Sequence, residues 1–144
     1  SGDEIEYLNL AESEAYEEIE ERLGILALRL GYKPQGMELE NVQISEDMGE
    51  AQMEYRYGIY VLRLYENKQS SNVTFDAQFD GKIVDIIESF YYDEELKILA
   101  IDREEETPFY TTNIEKGNAY YHVVSNLNLD EFKEVLRGIF FENM

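Results

Sequence analysis

Few side chains in this 144-residue chain are of the types that carry out catalysis. There is no cysteine, which excludes thiol nucleophiles, thiolate metal sites and disulfide bonds together. The only histidine is His122, and no serine stands in a nucleophile-elbow or triad-like context that would pair with it. One imidazole also argues against a zinc site. We therefore expect no catalytic, cofactor-binding or metal-binding residue, and we interpret His122 as a half-exposed residue of a strand.

Acidic side chains are the most abundant titratable groups, with 32 Asp and Glu residues against 12 Lys and Arg and a net charge of −20. Paired carboxylates could hydrolyse glycosides, but in so acidic a chain close pairs arise by chance, and the sequence selects none of them. Residues 93–95 and 104–106 form compact acidic stretches, and neither has the spaced ligands and central glycine of an EF-hand calcium loop. We interpret both as solvated loops and keep calcium binding as an alternative.

The charge also limits the partners that the chain could bind. Basic residues are scattered singly, and none lies before Arg22, so the sequence has no cationic track for phosphate groups. The glycine-rich phosphate loops of nucleotide-binding proteins are also absent from it. We therefore expect neither nucleic acid nor an anionic membrane surface as a partner, whereas a cationic partner is compatible with the composition.

The 12 tyrosines are the residues that most suggest binding. Tyrosine rings on an open sheet face can stack on sugars or anchor a protein partner. We expect most of them to cover the core with the hydroxyl in water. The alternation of the predicted strands places Tyr55 and Tyr57 on one face of a strand, and Tyr120 and His122 on one face of another. The predicted binding face consists of Tyr55, Tyr57, Tyr60, Tyr120 and Tyr121.

A helix begins the set of elements that must position these residues. Asn9 and Glu12 predict a capping box at its start, followed by a glutamate-rich first turn. Gly31 predicts its C-terminal stop, because glycine accepts the left-handed conformation there, and Pro34 prevents continuation. Its apolar stripe recurs at helical spacing and consists of Ile19, Leu23, Leu26 and Leu30.

A hydrophobic period of two replaces the helical spacing from Met37 onward, which predicts consecutive strands. Tight turns are predicted at Tyr57-Gly58, at residues 116–118 and at Asp80-Gly81, where glycine accepts the positive φ of a type I′ turn. Residues 82–92 fit a helix or a strand, and we favour a strand because β-branched residues dominate the stretch. The other predicted strands lie within residues 37–44, 51–66, 72–79, 96–104 and 109–125.

The end of the chain returns to a helical pattern. Asn128 and Glu131 predict a second capping box, and Leu127 and Phe132 are placed to form a hydrophobic staple. The apolar stripe of this helix continues to Phe140. A helix, a run of antiparallel strands and a second helix predict an α+β domain. Its antiparallel β-sheet has about 5–7 strands, with an N-terminal and a C-terminal helix packed on one face.

The length fits a single domain spanning residues 1–144, large enough to bury a core without disulfides. The chain starts with Ser1-Gly2 instead of methionine, and we interpret these two residues as left over from cloning. Residues 1–8 are expected to be a flexible or vector-derived N-terminus. No apolar run reaches the roughly 18–20 residues that cross a bilayer, so we expect no direct membrane insertion by this region.

Two segments resemble a bacterial family of domains of unknown function. In LGYKPQGMELENVQI, Pro34, Gly36 and Met37 stand at the motif positions of the family's first strand. GNAYYHVVSNLNLDEFKEVLRGI is similar to the family's closing strand and helix. The pattern of that closing segment is occupied by Tyr121, Val123, Leu129, Glu131, Phe132 and Leu136.

The resemblance implies where such a domain works. Members of the family form the extracytoplasmic C-terminal part of Gram-positive membrane proteins related to anti-sigma factors, or are secreted or lipid-anchored proteins. We therefore expect a non-enzymatic extracytoplasmic sensing or interaction domain that binds an unknown protein or cell-envelope component. A native N-terminal segment would tether it to the membrane. The alternative is a glycan- or small-ligand-binding domain that uses an aromatic sheet face, with calcium assisting.

Overall fold

The computed structural model describes residues 6–68, 81–104 and 106–142, and these form an α+β domain. The helices are α1 (Glu12–Leu23) and α2 (Leu129–Arg137). The predicted strand at residues 72–79 and the Asp80 position of its turn lie outside the described residues. The strands are β1 (Glu6–Leu8), β2 (Arg29–Leu30), β3 (Glu38–Ser45), β4 (Glu50–Tyr57), β5 (Tyr60–Lys68), β6 (Lys82–Glu88), β7 (Glu95–Arg103), β8 (Glu106–Lys116), β9 (Ala119–Ser125) and β10 (Ile139–Phe140).

Eight of the described strands form one antiparallel sheet in the order β1-β3-β4-β5-β9-β8-β7-β6. Two meanders, β3-β4-β5 and β6-β7-β8-β9, meet where β5 pairs with β9, with Leu64 opposite Val123. Seven strands are long, and β1 adds a three-residue strand at one edge. The predicted fold class is confirmed, including the strand at residues 82–88 and the turns at Gly58 and Gly117.

The short strand β1 lies within the region that we expected to be a flexible N-terminus. Its residues Glu6–Leu8 pair with residues 42–44 of β3. The Glu6 carboxylate also pairs with Arg22 of α1, at 2.8 Å between Oε2 and Nη1. Residues 6–8 thus form backbone pairs at the sheet edge, and the expectation of a flexible or vector-derived N-terminus stays a prediction.

Helix α1 is shorter than its hydrophobic stripe predicts. It begins after Ala11, whose N–H donates to the Glu14 carboxylate at 3.1 Å, so the predicted cap at Asn9 is wrong. It ends at Gly24 (φ 68°), whose N–H donates to the Glu20 carbonyl, so the predicted stop at Gly31 is also wrong. Glycine takes this left-handed conformation at little cost, so the earlier of two possible stops is used.

Residues 25–28 follow the helix without regular secondary structure and enter the core. The N–H of Ala27 donates to the Glu20 carboxylate at 3.0 Å, and the N–H of Leu28 donates to the carboxyl group of Glu66 at 2.9 Å. Buried backbone donors need such partners outside a helix. Ile25, Ala27 and Leu28 are all buried. Their apolar side chains therefore pack in the core, as a helical stripe would, but from a backbone that is not helical.

Helix α2 has the predicted start and an earlier end. The side-chain Oδ1 of Asn128 accepts a hydrogen bond from the Glu131 N–H at 2.9 Å, as the capping pattern predicts. The helix stops at Arg137, and Ile139–Phe140 form β10, which pairs with β2. The predicted continuation to Phe140 is therefore wrong, because backbone pairing with a distant strand replaces the last helical turn.

Both helices cover the same face of the sheet. The Tyr16 hydroxyl of α1 lies 3.3 Å from the Tyr55 hydroxyl of β4, and the Phe132 ring of α2 stacks on Tyr110 of β8 at 6.3 Å. Tyr55 pairs with Leu62 of β5, which pairs with Ser125 of β9. Ser125 in turn pairs with Tyr110, so Tyr55 and Tyr110 lie on the same face of the sheet. The buried core lies on this helix side, and we call the opposite side the outer face.

Candidate functional site

The five tyrosines of the predicted binding face do not lie on one surface. Tyr55 and Tyr121 are buried on the helix side and belong to the core. Tyr57 and Tyr60 lie at the β4–β5 turn, with ring centroids 6.5 Å apart. Tyr120 lies on the outer face, opposite Asn67 and seven residues along β5 from Tyr60, a separation of roughly 23 Å.

The hydroxyl of Tyr55 belongs to a polar network under α1. It donates to Glu12 Oε2 at 2.6 Å, and the Tyr16 hydroxyl donates to the same oxygen at 3.0 Å. The second oxygen of Glu12 accepts a hydrogen bond from Lys33. Burial raises the pKa of Tyr55 far above its ordinary value, with the neighbouring Tyr16 and Glu12 adding to the effect. The network holds α1 against the sheet, with the Tyr16 and Tyr55 side chains buried.

His122 lies on the outer face but is fully buried, so its interpretation as half-exposed is wrong. Its Nε2 lies 2.9 Å from the Thr111 hydroxyl, and its Nδ1 is hydrogen-bonded to the Asn113 side chain. The Tyr65 ring packs beside it with centroids 6.0 Å apart. Burial lowers the pKa of the imidazole to about 3, which keeps the ring neutral at physiological pH. These contacts are those of a packed, hydrogen-bonded residue.

Glu66 is a buried carboxyl that our sequence interpretation missed. It follows Leu62 and Leu64 at alternate positions of β5, and this period of two already places it on the core side. It is completely buried, and burial raises its pKa to about 8 despite the hydrogen bond from the Leu28 N–H. Glu66 joins the segment after α1 to the central strand of the sheet.

The outer face carries an apolar depression of about 310 Å³, which we call the outer groove. It crosses four neighbouring strands, from β5 over β9 and β8 to β7. Strand alternation turns the lining residues of β5 away from the buried Leu62 and Leu64. The lining consists of Val61, Arg63, Tyr65, Ile101, Phe109, Val124, Ser125 and Asn126.

The strand register gives the groove a floor and two walls. Val124 of β9 pairs with Arg63 of β5, so Val124 forms the floor beside the β5 wall. On the far side, Ile101 of β7 pairs with Phe109 of β8, and these two side chains form the opposite wall. Tyr65, the next residue of β5 after Arg63 that faces outward, extends the β5 wall. The apolar side chains thus converge from strands that are distant in sequence.

Polar groups lie at the β5 side and at one end of the groove. The Arg63 Nε donates to Glu54 Oε1 at 2.8 Å, and this hydrogen bond raises the pKa of the guanidinium. The Asn126 Oδ1 accepts the Val61 N–H at 2.8 Å, which leaves the NH₂ of the carboxamide as the remaining donor. The Ser125 side chain lies on the helix side by register, and its hydroxyl donates to the Val61 carbonyl at 2.7 Å.

A second guanidinium flanks the Phe109 wall. The Arg103 guanidinium carbon lies 3.9 Å from the centre of the Phe109 ring, a cation–π arrangement. Its Nη1 lies 3.3 Å from the Glu106 carboxylate. Among the described residues, the groove lining itself contains one arginine and no carboxylate. Glu54 and Glu106 each neutralise one of the two guanidiniums, so this region lacks the excess negative charge of the whole chain.

The acidic stretch at residues 93–95 lies beside an exposed aromatic pair. Phe90 and Tyr91 are 75% and 59% exposed, and the Tyr92 hydroxyl donates to Glu94 at 2.8 Å. No group of three or more His, Asp or Glu side chains within the described ranges is arranged to hold a metal ion. Calcium binding at these stretches stays a prediction. Neither described helix is long and apolar enough to cross a bilayer.

The family assignment follows from a match over most of the chain. Residues 27–139 match the family described as a domain of unknown function, DUF4367. The chain belongs to this family. The resemblance to a family of domains of unknown function is thereby confirmed. No curated protein and no solved structure gave a significant match.

The match locates the outer groove within the DUF4367 region. Its range includes β5, β7, β8 and β9 and therefore every residue that lines the groove. Helix α1 lies before it. Our sequence interpretation missed the lining residues, although the alternation of Val61, Arg63 and Tyr65 against Leu62 and Leu64 was a usable signal. Their assembly with Phe109 and Ile101 depends on pairings between distant strands.

Proposed function

We propose that this DUF4367 domain is a non-enzymatic extracytoplasmic sensing and interaction domain that binds a protein or envelope component in the outer groove. The observation that carries the proposal is the groove itself, an apolar depression with aromatic walls on the sheet face opposite the helices. Its volume of about 310 Å³ is at the lower end of ligand sites, which span roughly 300–1,000 Å³. Such a site suits one anchoring group of a larger partner.

The chemistry of the lining supports binding over catalysis. The Ser125 hydroxyl already donates to the Val61 carbonyl and accepts the Leu127 N–H, so it is engaged on both sides. The His122 imidazole is buried beside Thr111 and is not part of the lining. A nucleophile needs a base within hydrogen-bond reach, and the described lining residues offer no such pair.

The extracytoplasmic location is proposed from the family resemblance of residues 30–44 and 117–139. In the native protein, a segment before the domain would tether it to the membrane. The test is protease treatment of intact cells that produce the whole native protein with a tag at its C-terminus. Loss of the tag from intact cells supports the proposal, whereas protection until the cells are lysed contradicts it.

The binding proposal is tested by thermal unfolding with a panel of muropeptides, cell-wall sugars and peptides. A ligand at about 100 times its Kd stabilises the native state by roughly 2.7 kcal/mol, which raises Tm by several degrees. Val124→Glu places a carboxylate on the groove floor and should abolish the shift. Gln43→Glu adds the same charge on β3, outside the groove lining, and should retain it. Equal shifts in both variants would contradict binding in the groove.

A glycan or small ligand is the second candidate occupant. The specific observation in its favour is the pair of aromatic walls, Phe109 and Tyr65, since rings of this kind can stack on sugars. The sugar and peptide arms of the same panel distinguish the two candidates. Calcium assistance is tested by repeating the sugar arm with Ca²⁺ and with EGTA.

A further inference from the structure

We infer that the outer groove binds the carboxyl terminus of a partner peptide, with its last, apolar side chain on Val124 and its terminal carboxylate at Arg63. This inference rests on the proposed function and names the chemistry of the partner. It is drawn from the shape of the groove, from the donors at its β5 side and from the distribution of charge around it.

The shape of the groove favours one apolar anchor. Val124 forms an apolar floor between the wall of Ile101 and Phe109 on one side and the strand that carries Val61 on the other. A volume of about 310 Å³ accommodates a single large side chain with its backbone carboxylate. A long acyl chain would need a deeper, enclosed cavity. We therefore assign the apolar group to a peptide and not to a lipid.

The donors suit a carboxylate. Arginine presents five N–H groups in a planar fork that can hold a carboxylate by two parallel hydrogen bonds. The Nε of Arg63 is used by Glu54, which fixes the orientation of the guanidinium. A side-chain hydrogen bond with Tyr65 uses another of its five donors, and we assign the remaining Nη donors to the ligand carboxylate. The NH₂ of Asn126 adds a neutral donor at the end of the groove.

The charge distribution limits the ligand to one carboxylate. The groove lining has no acidic residue, and the carboxylates beside it, Glu54 and Glu106, are paired with Arg63 and Arg103. The whole chain carries a net charge of −20, which repels a polyacidic ligand as it approaches. A terminal carboxylate preceded by neutral or basic residues gains the contact with Arg63 and avoids most of this repulsion.

The inference is tested by NMR titration of the ¹⁵N-labelled domain with two probes of the same shape. N-acetyl-phenylalanine carries the carboxylate, and N-acetyl-phenylalanine amide is neutral. Both should shift the amide signals of Val61, Val124 and Phe109. Because Arg63 is about half-exposed and already paired, we expect the acid to bind only roughly fivefold more tightly than the amide.

Variants separate the role of Arg63 from the general charge of the groove. Arg63→Gln alone leaves Glu54 without its partner, so the decisive variant is Arg63→Gln with Glu54→Gln, which leaves the net charge unchanged. It should bind acid and amide equally. Glu54→Gln alone should increase the preference for the acid, because the competing carboxylate is removed. Arg56→Gln, in an ion pair with Glu40 on the neighbouring strands, is the matched control and should keep the preference.

Each outcome decides between the inference and the function on which it rests. Equal binding of both probes to the wild-type groove, or an acid preference that survives the double substitution, overturns the carboxylate assignment and leaves groove binding intact. Tighter binding of decanoate than of the acid probe overturns the assignment to a peptide. No groove shift with any probe, while an envelope component stabilises the wild type but not Val124→Glu, overturns the inference alone. If no probe shifts the groove signals and no envelope component stabilises the wild type, both proposals fail.

Discussion

Glu66 shows how a single residue can make the stability of this domain depend on pH. Its carboxyl lies on the core side of β5, accepts the Leu28 N–H and is close enough to Glu20 and Arg29 to interact with both charges. Burial dominates over the favourable Leu28 and Arg29 contacts and raises the pKa to about 8. A carboxyl of this kind is held protonated in the native state at neutral pH.

The first prediction concerns Glu66→Gln. The unfolded carboxyl has the ordinary pKa of 4.5, whereas the native one has a pKa of about 8, so between these values the native state holds a proton that the unfolded state has released. Wild-type stability therefore falls as pH rises from about 4.5 to about 8, relative to the glutamine variant, by on the order of a few kcal/mol. Urea unfolding across this range measures the difference. Parallel profiles for the two proteins would contradict the assignment, and Glu88→Gln, at an exposed position, is the control.

The second prediction concerns the hydroxyl of Tyr55. It donates to the Glu12 carboxylate at 2.6 Å in a buried network, so Tyr55→Phe leaves a carboxylate oxygen short of one donor. Hydrogen bonds to charged groups contribute roughly 1.5–3 kcal/mol, and we expect a loss of stability in this range. Chemical denaturation measures it. Tyr60→Phe is the matched control at a partly exposed ring. If it lowers stability as much as Tyr55→Phe does, the loss is not due to the hydrogen bond of Tyr55 with Glu12.

At the scale of elements, local signals predicted starts and turns better than ends. The cap of α2 is predictable because Asn128 and the Glu131 N–H are three residues apart. The end of α1 is not, because Gly24 and Gly31 are both acceptable stops and the apolar stripe continues past the first. The choice of Gly24 is stabilised by the hydrogen bond from the Leu28 N–H to the carboxyl group of Glu66, which lies 38 residues beyond Leu28.

The third prediction tests this helix end. Gly24 has φ 68°, and an added Cβ would meet no atom within 4 Å, so Gly24→Ala costs conformational strain without a clash. The left-handed conformation costs an ordinary residue roughly 1–2 kcal/mol, and we expect this loss in urea unfolding. Gly24→Asn should cost less, because asparagine tolerates the conformation better. An alanine variant as stable as the wild type, with higher helix content by circular dichroism, would show that the helix can continue.

At the scale of the whole molecule, charge repulsion opposes the compact state. The net charge is −20, and many of the ion pairs among the described residues have partly exposed partners, such as Arg56 with Glu40. Exposed ion pairs contribute about 0–1 kcal/mol each, whereas the repulsion acts between all the excess charges at once. The repulsive contribution should therefore be the larger of the two.

The fourth prediction follows from this balance. Raising the NaCl concentration from about 20 mM to about 300 mM shortens the Debye length to less than 10 Å and screens the repulsion, so Tm should rise. Calorimetry at constant pH measures the change. Choline chloride at the same ionic strength should give a similar increase, which separates screening from specific binding of sodium. A fall in Tm with salt would mean that the ion pairs outweigh the repulsion.

The sequence by itself determined the class of the fold: an antiparallel sheet with a helix at each end of the chain, packed on one face. Periods of 3.6 and 2 and the local caps and turns involve residues close together in the chain, so they can be read without the tertiary structure. The tertiary structure decided where α1 ends, why His122 is buried on the outer face, and which side chains form the outer groove. These features depend on the pairing of β5 with β9 and on contacts between residues such as Leu28 and Glu66, which local spacing does not encode.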